Sequence, residues 1–432
     1  MHKIKITGGI PLRGEITVSG AKNAALPLMC ASLLTENTLT LENVPQLNDI
    51  STLIDLLQHM GVKTSRPDDQ NSHTICFEAQ TIHDSIAPYE LVRKMRASVL
   101  VLGPLVARTG FAQVSLPGGC AIGTRPIDLH IKGLQQMGAE IELSDGYVTA
   151  KAPNGLKGAT FSFPVISVTG TENLMMAATL AKGTTRLINA ALEPEIVDLG
   201  KCLIAMGAKI SGLGTSTIEI EGVESLHGAT HRILPDRIEM GTYMMAAGIT
   251  KGDIEILGGD LDLIPTAVDT MTQMGLVITK TDKGFRVQGP DRLKPFDVTT
   301  EPYPGFATDL QAQVMALATL ADGASIIQET IFENRFMHVP ELKRMGADIT
   351  VIGNAAIVRG KKELNGAPVM ATDLRASVSL VLAALAAKGE TTISRVYHLD
   401  RGYEKVETKL KACGAKIERL EGDISDHPEY AA

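Results

Sequence analysis

The sequence predicts an α/β fold of two lobes, each built from three copies of one repeated unit. Two observations lead to this prediction: a glycine motif recurs six times with helix and strand patterns around it, and 432 residues are too many for a single hydrophobic core. A solenoid of stacked repeats is the alternative. Units of about 70 residues with alternating elements favour compact lobes with helices packed against sheets.

The glycine motif follows an amphipathic helix. Ahead of its first copy, Ile50, Leu53, Ile54 and Leu57 fall at i, i+3, i+4 and i+7, which is the spacing of one helix face. A glycine suits the C′ position after a helix because left-handed dihedrals carry no Cβ penalty there. The alternating residues that follow predict a strand. The six copies read HMGVKTS, QMGAEIE, AMGAKIS, QMGLVIT, RMGADIT and ACGAKIE, with glycine at 61, 138, 207, 275, 346 and 414.

Each repeat also has an earlier half, in which an Ala/Leu-rich helix ends at a second marker and a β-rich run begins. These markers stand at positions 37, 110, 183, 252, 323 and 389. The unit is therefore helix, strand, helix, strand, with more strand between repeats. The distance from marker to glycine is 23 to 25 residues in five repeats and 28 in the second. The excess lies in PGGCAIGTRP, and an inserted Gly-rich loop on a repetitive scaffold predicts a place for chemistry.

The five cysteines divide into one candidate and four core residues. Cys120 lies in the inserted loop beside charges, whereas Cys413 occupies the slot that Met holds in the other five motifs. Cys30 and Cys202 lie on apolar helices and Cys76 lies in a strand-like run, so we expect all three in the core. An odd number of cysteines without close pairs argues against a disulfide framework and for a reducing cytoplasm.

Charge and hydropathy exclude two classes of partner. A net charge of −8 argues against a general nucleic-acid binder, which needs a basic face. The start MHKIKITGG lacks the apolar core of a signal peptide, and no apolar run reaches the roughly 20 residues of a membrane helix. We therefore expect a cytoplasmic protein that binds neither nucleic acid nor membrane.

A second register points to an anion. Fourteen positions before each marker stand Asn23, Arg96, Thr169, Ile238, Asp309 and Arg375. Five of the six are polar, each at or near the start of an apolar helix. Helix capping accounts for Asn, Thr and Asp but not for the two arginines. If the helix N-termini point at a common cleft, their amide groups and positive dipole ends would suit an anionic ligand.

Several motifs together resemble the enolpyruvyl transferases that act on UDP-N-acetylglucosamine. They are SGAKNAALPL, KMRAS, PGGCAIGTRPIDLH, YPGFATDLQAQ, FENRFMHVPEL, TDLRAS and DRGYE, spread over about residues 3–420. The resemblance implies an inside-out α/β barrel of six βαβαββ-like units, three per lobe. It implies a C-terminal lobe of residues 1–21 and 235–432, on the side of phosphoenolpyruvate and the catalytic base. The N-terminal lobe would be residues 22–234, with the cysteine loop at 115–126.

The resemblance also implies an activity and its residues. The enolpyruvyl group of phosphoenolpyruvate would pass by addition–elimination to the sugar 3′-hydroxyl with release of phosphate, the first committed step of peptidoglycan synthesis. Cys120 would protonate the methylene carbon and can also hold phosphoenolpyruvate covalently, Asp309 would accept the hydroxyl proton, and Lys22 and Arg401 complete the catalytic set. Neither a metal nor a cofactor is implied. The residues expected to bind phosphoenolpyruvate are Lys22, Asn23, Arg125, Arg375 and Arg401.

The sugar nucleotide has its own expected contacts in the two lobes. Those that match the family directly are Arg96, Arg125, Pro126, Ile127, Asp128, Leu129, Asp309 and Ile331. The match is weaker for Ser167, Val168, Thr169 and Gly170, because Val165 stands where some relatives carry Lys. The two alternatives are the related transferase that acts on shikimate 3-phosphate, which lacks the cysteine loop, and a non-catalytic sugar-nucleotide-binding protein on the same fold.

Overall fold

A computed structural model describes residues 2–67, 72–116 and 127–421. Its described residues form two compact units. One comprises residues 20–234 and is called the 20–234 unit below. The other comprises residues 2–19 together with 235–421 and is called the 235–421 unit.

Helices and strands alternate along the whole described chain. The α-helices are α1 Lys22–Ala31, α2 Asn48–His59, α3 Tyr89–Val92, α4 Leu102–Thr109, α5 Asp128–Gln136, α6 Val168–Ala178, α7 Pro194–Ala205, α8 Arg237–Ile249, α9 Pro265–Gln273, α10 Gln311–Ala318, α11 Val339–Arg344, α12 Ala376–Ala386 and α13 Val406–Ala412. Short 3-10 helices lie at Ser32–Leu34, Arg96–Val101, Leu261–Leu263, Thr308–Leu310 and Val396–Arg401.

The strands of the described chain are short, at two to five residues each. They are β1 Lys3–Thr7, β2 Arg13–Thr17, β3 Leu39–Glu42, β4 Lys63–Ser65, β5 Ile75–Glu78, β6 Ile86–Ala87, β7 Phe111–Ser115, β8 Glu140–Ser144, β9 Tyr147–Lys151, β10 Thr160–Ser162, β11 Thr184–Ile188, β12 Lys209–Ser211, β13 Thr217–Glu221, β14 Ala229–Arg232, β15 Asp253–Leu257, β16 Val277–Thr281, β17 Gly284–Gln288, β18 Val298–Thr299, β19 Ala324–Gln328, β20 Asp348–Ile352, β21 Ala355–Arg359, β22 Pro368–Met370, β23 Glu390–Ser394 and β24 Lys416–Leu420.

Within the described ranges the strands form six four-stranded sheets with one topology. In β10-β11-β13-β12, for example, the first two strands run parallel and the other neighbours run antiparallel. The same order recurs in β14-β3-β5-β4, β6-β7-β9-β8, β2-β15-β17-β16, β18-β19-β21-β20 and β22-β23-β1-β24. Each sheet with its two helices is a βαβαββ unit, so the predicted fold class of six repeats is confirmed.

The first two strands of the chain complete sheets of the 235–421 unit. Strand β1 lies between β23 and β24 and is antiparallel to both. Strand β2 runs parallel to β15. In the 20–234 unit the corresponding edge strand comes from the end of the segment, where β14 runs parallel to β3. Both units therefore contain three complete sheets.

All six motif glycines end a helix in the same way, as the sequence predicts. Their φ angles lie between +88° and +105°, in the left-handed region that favours glycine. At the first motif, Gly61 N donates to Gln58 O at 3.0 Å, and Val62 N donates to Leu57 O at 3.0 Å. These two bonds define a Schellman motif, which satisfies the last free carbonyls of the helix. The equivalent pairs of bonds follow α5, α7, α9, α11 and α13.

Helices fill the interior of each unit, and the sheets cover them. All 13 residues of α8 and all eight of α10 are buried, and α8, α10 and α12 contact one another. In the 20–234 unit α6 contacts both α1 and α4. The strands alternate between buried and exposed residues, as β13 does, so each sheet buries one face and exposes the other. No helix in the described ranges is long and apolar enough to cross a membrane.

The described cysteines are mostly core residues, as predicted. Cys30, Cys202 and Cys413 are buried, whereas Cys76 in β5 is only partly buried. Burial raises the pKa of Cys202 to about 12 and that of Cys413 to about 11. Thiols with such raised pKa values form little thiolate near neutral pH and are poor nucleophiles.

Candidate functional site

Three helix N-termini of the 235–421 unit lie within reach of one another. Asp236 caps α8, with Oδ1 accepting from the N–H groups of Ile238 at 2.8 Å and Glu239 at 3.0 Å. Asp309 lies in the 3-10 helix that leads into α10, and Arg375 is the cap residue of α12. The charges of Asp309 and Asp236 both act on the Arg375 guanidinium. The 14-residue register therefore brings Asp309 and Arg375 together, although Ile238 in the same register is buried in the core.

The Asp309 carboxylate is held by two arginines, one on each oxygen. Arg335 Nη2 donates to Oδ1 at 2.6 Å, and Arg375 Nε donates to Oδ2 at 3.3 Å. Both arginines are buried, while the Asp309 side chain remains 24% exposed. Charge-assisted bonds of this kind fix the plane of a carboxylate as well as stabilising it. Asp309 is thus oriented and still accessible to a ligand.

One nitrogen of the Arg375 guanidinium has no hydrogen-bond acceptor among the described residues. Burial on its own lowers the pKa of the guanidinium, but the charges of Asp309 and Asp236 outweigh burial and raise it, so Arg375 stays charged. Its Nη1 donates to Gly402 O at 3.3 Å. Within the described part of the chain its Nη2 is buried without a hydrogen-bond partner. A buried donor of this kind is costly unless a ligand or water accepts from it.

Arg401 lies beside this cluster, at the end of the 3-10 helix Val396–Arg401. It is half-buried and precedes Gly402, whose carbonyl accepts from Arg375. Burial and the Arg401 charge lower the pKa of His398, and Asp373 opposes that effect. Asp373 Oδ1 also accepts from the N–H groups of Arg375 and Ala376 at 2.9 Å each, which caps α12.

A buried glutamate lies on the other side of Asp309. Glu329 follows β19, and its Oε2 accepts from Thr308 Oγ1 at 2.8 Å. Its Oε1 accepts from the N–H groups of Ile331 at 2.8 Å and Phe332 at 3.1 Å. The segment containing Ile331, an expected nucleotide contact, is therefore tied to the residue that precedes Asp309.

In the 20–234 unit, Lys22 is paired with a buried carboxylate. Lys22 is the first residue of α1, and its Nζ donates to Asp49 Oδ2 at 3.2 Å. Asp49 lies in the first turn of α2, and both side chains are about 6% exposed. Asn23 follows Lys22 in α1 and is half-buried. A buried ammonium needs such a partner to remain charged, and it can then bind an anion as well.

A second network in this unit surrounds His130 in α5. Asn173 Nδ2 lies 2.9 Å from His130 Nδ1, and Thr169 Oγ1 lies 3.2 Å from His130 Nε2. Because an amide N–H can only donate, Nδ1 accepts, and the ring proton of the neutral imidazole is on Nε2. Burial, reinforced by the Arg96 charge, lowers the pKa of His130 to about 4, with Asp128 opposing. His130 is therefore neutral near pH 7 and donates to Thr169.

The start of α6 presents backbone N–H groups. Ser167 caps this helix, with Oγ accepting from Gly170 N at 3.1 Å. Val168 and Thr169 form its first turn, and Val165 ahead of the cap is 63% exposed. The N-terminus of an 11-residue helix offers backbone donors and a positive dipole end to an anion.

The remaining expected residues fall at the start of α5, at the start of the 3-10 helix Arg96–Val101 or outside the described chain. Ile127 and Leu129 are buried, and Asp128 accepts from Lys132 Nζ at 3.1 Å. Arg96 begins the 3-10 helix Arg96–Val101 and is half-buried. The predictions for Cys120, Arg125 and Pro126 lie outside the described residues.

Sequence reasoning missed five residues that shape these clusters. They are Asp49, His130, Asn173, Glu329 and Arg335. Arg335 lies in FENRFMHVPEL and His130 in PGGCAIGTRPIDLH, but neither falls in the 14-residue register. An acid in the first helical turn, as at Asp49, is common as a dipole partner and gives no further signal. The sequence around Arg335 likewise gives no signal of its pairing with Asp309, 26 positions away.

Comparison with known proteins gives the family. A family model described as EPSP synthase (3-phosphoshikimate 1-carboxyvinyltransferase) matches residues 6–410. A UDP-N-acetylglucosamine 1-carboxyvinyltransferase from Paramagnetospirillum magneticum is 60% identical over 99% of this chain and 100% of that protein. A protein of the same name from Dinoroseobacter shibae is 59% identical over 97% of this chain and 99% of its own.

Solved structures agree with that result. The enolpyruvyl transferase NikO from Streptomyces tendae is 25% identical with a TM-score of 0.88, over 98% of this chain and 99% of that one. EPSP synthase from Acinetobacter baumannii shares the fold, with a TM-score of 0.76 at 19% identity over 98% of this chain and 100% of its own. The chain belongs to the EPSP synthase family of enolpyruvyl transferases.

Proposed function

We propose that the protein transfers the enolpyruvyl group of phosphoenolpyruvate to the 3′-hydroxyl of UDP-N-acetylglucosamine and releases phosphate. The observation that carries this is the 60% identity, over nearly the full length, to a UDP-N-acetylglucosamine 1-carboxyvinyltransferase. The loop PGGCAIGTRP also separates the chain from the shikimate 3-phosphate enzymes, which lack it. The reaction is the first committed step of peptidoglycan synthesis, and we place it in the cytoplasm, consistent with the free cysteines.

We assign the proton acceptor to Asp309. The sugar 3′-oxygen attacks C2 of phosphoenolpyruvate while its proton passes to the Asp309 carboxylate. Two guanidinium groups bind that carboxylate and hold both of its oxygens in one orientation. We expect proton transfer to accompany the attack rather than precede it.

We assign the proton donor to Cys120. A thiol with a reference pKa of about 8.5 is mostly protonated at neutral pH and can give its proton to C3 of phosphoenolpyruvate. Addition of oxygen at C2 and of the proton at C3 gives a tetrahedral intermediate that carries both the phosphate and the sugar. Loss of a proton from C3 and of phosphate from C2 then restores the double bond, now in the enolpyruvyl ether.

The anionic ends of phosphoenolpyruvate need fixed cations. We propose Lys22, Arg125, Arg375 and Arg401 for this role, with Asn23 as a neutral donor. The buried Nη2 of Arg375, which has no acceptor among the described residues, supports the assignment of Arg375 to phosphoenolpyruvate, because a ligand oxygen would satisfy this donor. A guanidinium matches paired oxygens of phosphate or carboxylate geometrically.

We expect backbone N–H groups and two arginines to bind the sugar nucleotide. We propose that the first turn of α6, from Ser167 to Gly170, binds the diphosphate through its N–H groups. The remaining proposed contacts are Arg96, Arg125, Pro126, Ile127, Asp128, Leu129, Asp309 and Ile331. On this assignment the 235–421 unit carries the base and the 20–234 unit carries the cysteine loop.

Phosphate release with defined acceptors tests the proposal. Purified protein is incubated with phosphoenolpyruvate and either UDP-N-acetylglucosamine or shikimate 3-phosphate, with single-substrate controls. We expect phosphate only with the sugar nucleotide, together with a product heavier by one enolpyruvyl group in mass spectrometry. Release only with shikimate 3-phosphate would support the related transferase, and nucleotide binding without release would support a non-catalytic binder.

A further inference from the structure

We propose that Glu329 is a positioning residue for Asp309. It binds the segment from Ile331 to Arg335 directly, and it acts on Asp309 through Thr308 and Arg335. The inference rests on the proposed function, because it gives these residues a role in recognising and activating the sugar hydroxyl. Glu329 contacts none of the reacting atoms in this account. Its effect passes through hydrogen bonds whose direction is fixed by chemistry.

The Glu329 carboxylate is buried and accepts four hydrogen bonds. It is 2% exposed, and besides Thr308, Ile331 and Phe332 it accepts from Thr300 Oγ1 at 2.9 Å. Three of the four bonds end on Oε1, and the bond from Thr308 ends on Oε2. Burying an acid that only packs would be costly. Four donors at 3.1 Å or less therefore indicate a site that is built for the anion.

The direction of the bonds follows from the carboxylate. Because Glu329 can only accept, the Thr308 hydroxyl donates to it and leaves its own lone pairs free. Arg335 Nη1 donates to Thr308 Oγ1 at 2.8 Å, and Arg335 Nη2 donates to Asp309 Oδ1 at 2.6 Å. One guanidinium thus connects the buried anion, through Thr308, to the proposed base.

A second contact connects Arg335 to the Glu329 site through Phe332. The Arg335 guanidinium carbon lies 5.2 Å from the centroid of the Phe332 ring, a cation–π distance. The Phe332 N–H donates to Glu329. Glu329 therefore fixes both neighbours of Arg335, the hydroxyl of Thr308 and the segment that carries the Phe332 ring. Arg335 in turn fixes one oxygen of Asp309.

Replacing Glu329 by Gln separates this role from simple turn formation. The amide oxygen of Gln can still accept from Ile331 and Phe332, so the turn can persist. Its amide nitrogen can only donate, so Thr308 would face two donors, from Gln and from Arg335. The bond between residue 329 and Thr308 would then reverse or break, the Thr308 hydroxyl would lose its acceptor, and Asp309 would keep its direct bonds from Arg335 and Arg375 without the support of Glu329.

The experiment compares Glu329→Gln and Thr308→Val with Thr308→Ser and with a matched control. The control is Thr270→Val, a buried threonine of the same unit whose hydroxyl donates to Thr266 O at 2.8 Å in its own helix. We expect Glu329→Gln and Thr308→Val each to lower kcat/KM for UDP-N-acetylglucosamine on the order of tenfold, with KM for phosphoenolpyruvate changed less. The kcat/KM of Thr308→Ser should reach at least about half of the wild-type value, and that of Thr270→Val should stay within about twofold of wild type.

Two further measurements keep the test decisive. The kcat/KM of the double variant Glu329→Gln/Thr308→Val should be at most about twofold below that of the less active single variant, because both substitutions act on one chain of hydrogen bonds. UDP-N-acetylglucosamine binding, measured by calorimetry without phosphoenolpyruvate, reports on the same geometry without turnover. If Glu329→Gln fails to fold, the two Thr308 variants decide. Equal kcat/KM and Kd in wild type, Glu329→Gln and Thr308→Val overturn the positioning role, whereas absence of turnover in wild type contradicts the proposed function.

Discussion

The two units hold their candidate site residues by different means. In the 235–421 unit the central group is a charge, Asp309, paired with the guanidinium groups of Arg335 and Arg375. In the 20–234 unit the most elaborate network is neutral: His130, uncharged near pH 7, joins Asn173 and Thr169. The same unit also contains a buried ion pair between Lys22 and Asp49, both distant in sequence from the residues of the His130 network.

This difference separates chemistry from recognition. An accessible carboxylate with both oxygens anchored can accept a proton, whereas a neutral imidazole with both nitrogens occupied by protein groups is suited to orienting a helix start. We therefore expect substitutions around Asp309 to change kcat and substitutions around His130 to change KM or stability.

Loss of the Cys120 thiol should have the largest effect. Cys120→Ala should abolish turnover and leave UDP-N-acetylglucosamine binding nearly intact, because the thiol is assigned to phosphoenolpyruvate and not to docking of the sugar. Cys120→Asp should keep measurable activity, since a carboxylic acid can also deliver a proton. Steady-state phosphate release and calorimetric binding measure the two parts. Full activity in Cys120→Ala would contradict the assignment of Cys120 as the proton donor and would make it a structural cysteine.

Removing one cation from either unit should weaken phosphoenolpyruvate to a similar degree. Lys22→Ala and Arg401→Ala each lose a charge-assisted contact of about 1.5–3 kcal/mol, a tenfold to hundredfold rise in Kd for phosphoenolpyruvate. The Kd of UDP-N-acetylglucosamine should change much less. Lys280→Ala, which removes an exposed cation of the 235–421 unit, is the control. Equal losses for both ligands would mean that these cations are not the phosphoenolpyruvate anchor.

The His130 network should show itself in the pH dependence of stability. The pKa of His130 is about 4 in the folded protein against 6.5 ordinarily, so the unfolded chain binds the proton more readily. Its contribution to stability is therefore present above pH 6.5 and is lost as pH falls toward 4. The Tm difference between wild type and His130→Gln should shrink over that interval. His227→Gln, at an exposed position, is the control, and a difference that stays constant with pH would contradict the assignment.

The repeated backbone was predictable because it depends on local chemistry. A glycine two residues beyond a helix specifies the Schellman motif whatever the rest of the chain does, and Gly61 and its five counterparts all adopt it. The 14-residue register likewise placed Asp309 and Arg375 at helix starts. The same repeats could not show that β1 and β2 pair with strands about 240 to 410 residues further along the chain.

The partners of the site residues were not predictable, because they depend on long-range packing. Arg335 reaches Asp309 across 26 positions, and Glu329 reaches Thr308 across 21. Nothing in the local pattern distinguishes these charged side chains from solvated ones. Both are nevertheless buried, with 2% of Glu329 and 6% of Arg335 exposed. The roles of the expected residues themselves stay predictions, to be tested by the substitutions above.

The proposed mechanism depends most directly on Asp309 as the proton acceptor of the 235–421 unit. Asp309→Asn keeps the size of the side chain and one oxygen that can accept from an arginine, but its amide nitrogen only donates and the side chain can no longer take the proton. Single-turnover phosphate formation at saturating phosphoenolpyruvate and UDP-N-acetylglucosamine, measured by rapid quench, reports on addition and elimination without the later release of product. We expect the rate to fall on the order of 10²- to 10⁴-fold, with the nucleotide Kd within about tenfold of wild type. A single-turnover rate within about threefold of wild type would contradict the assignment of the base.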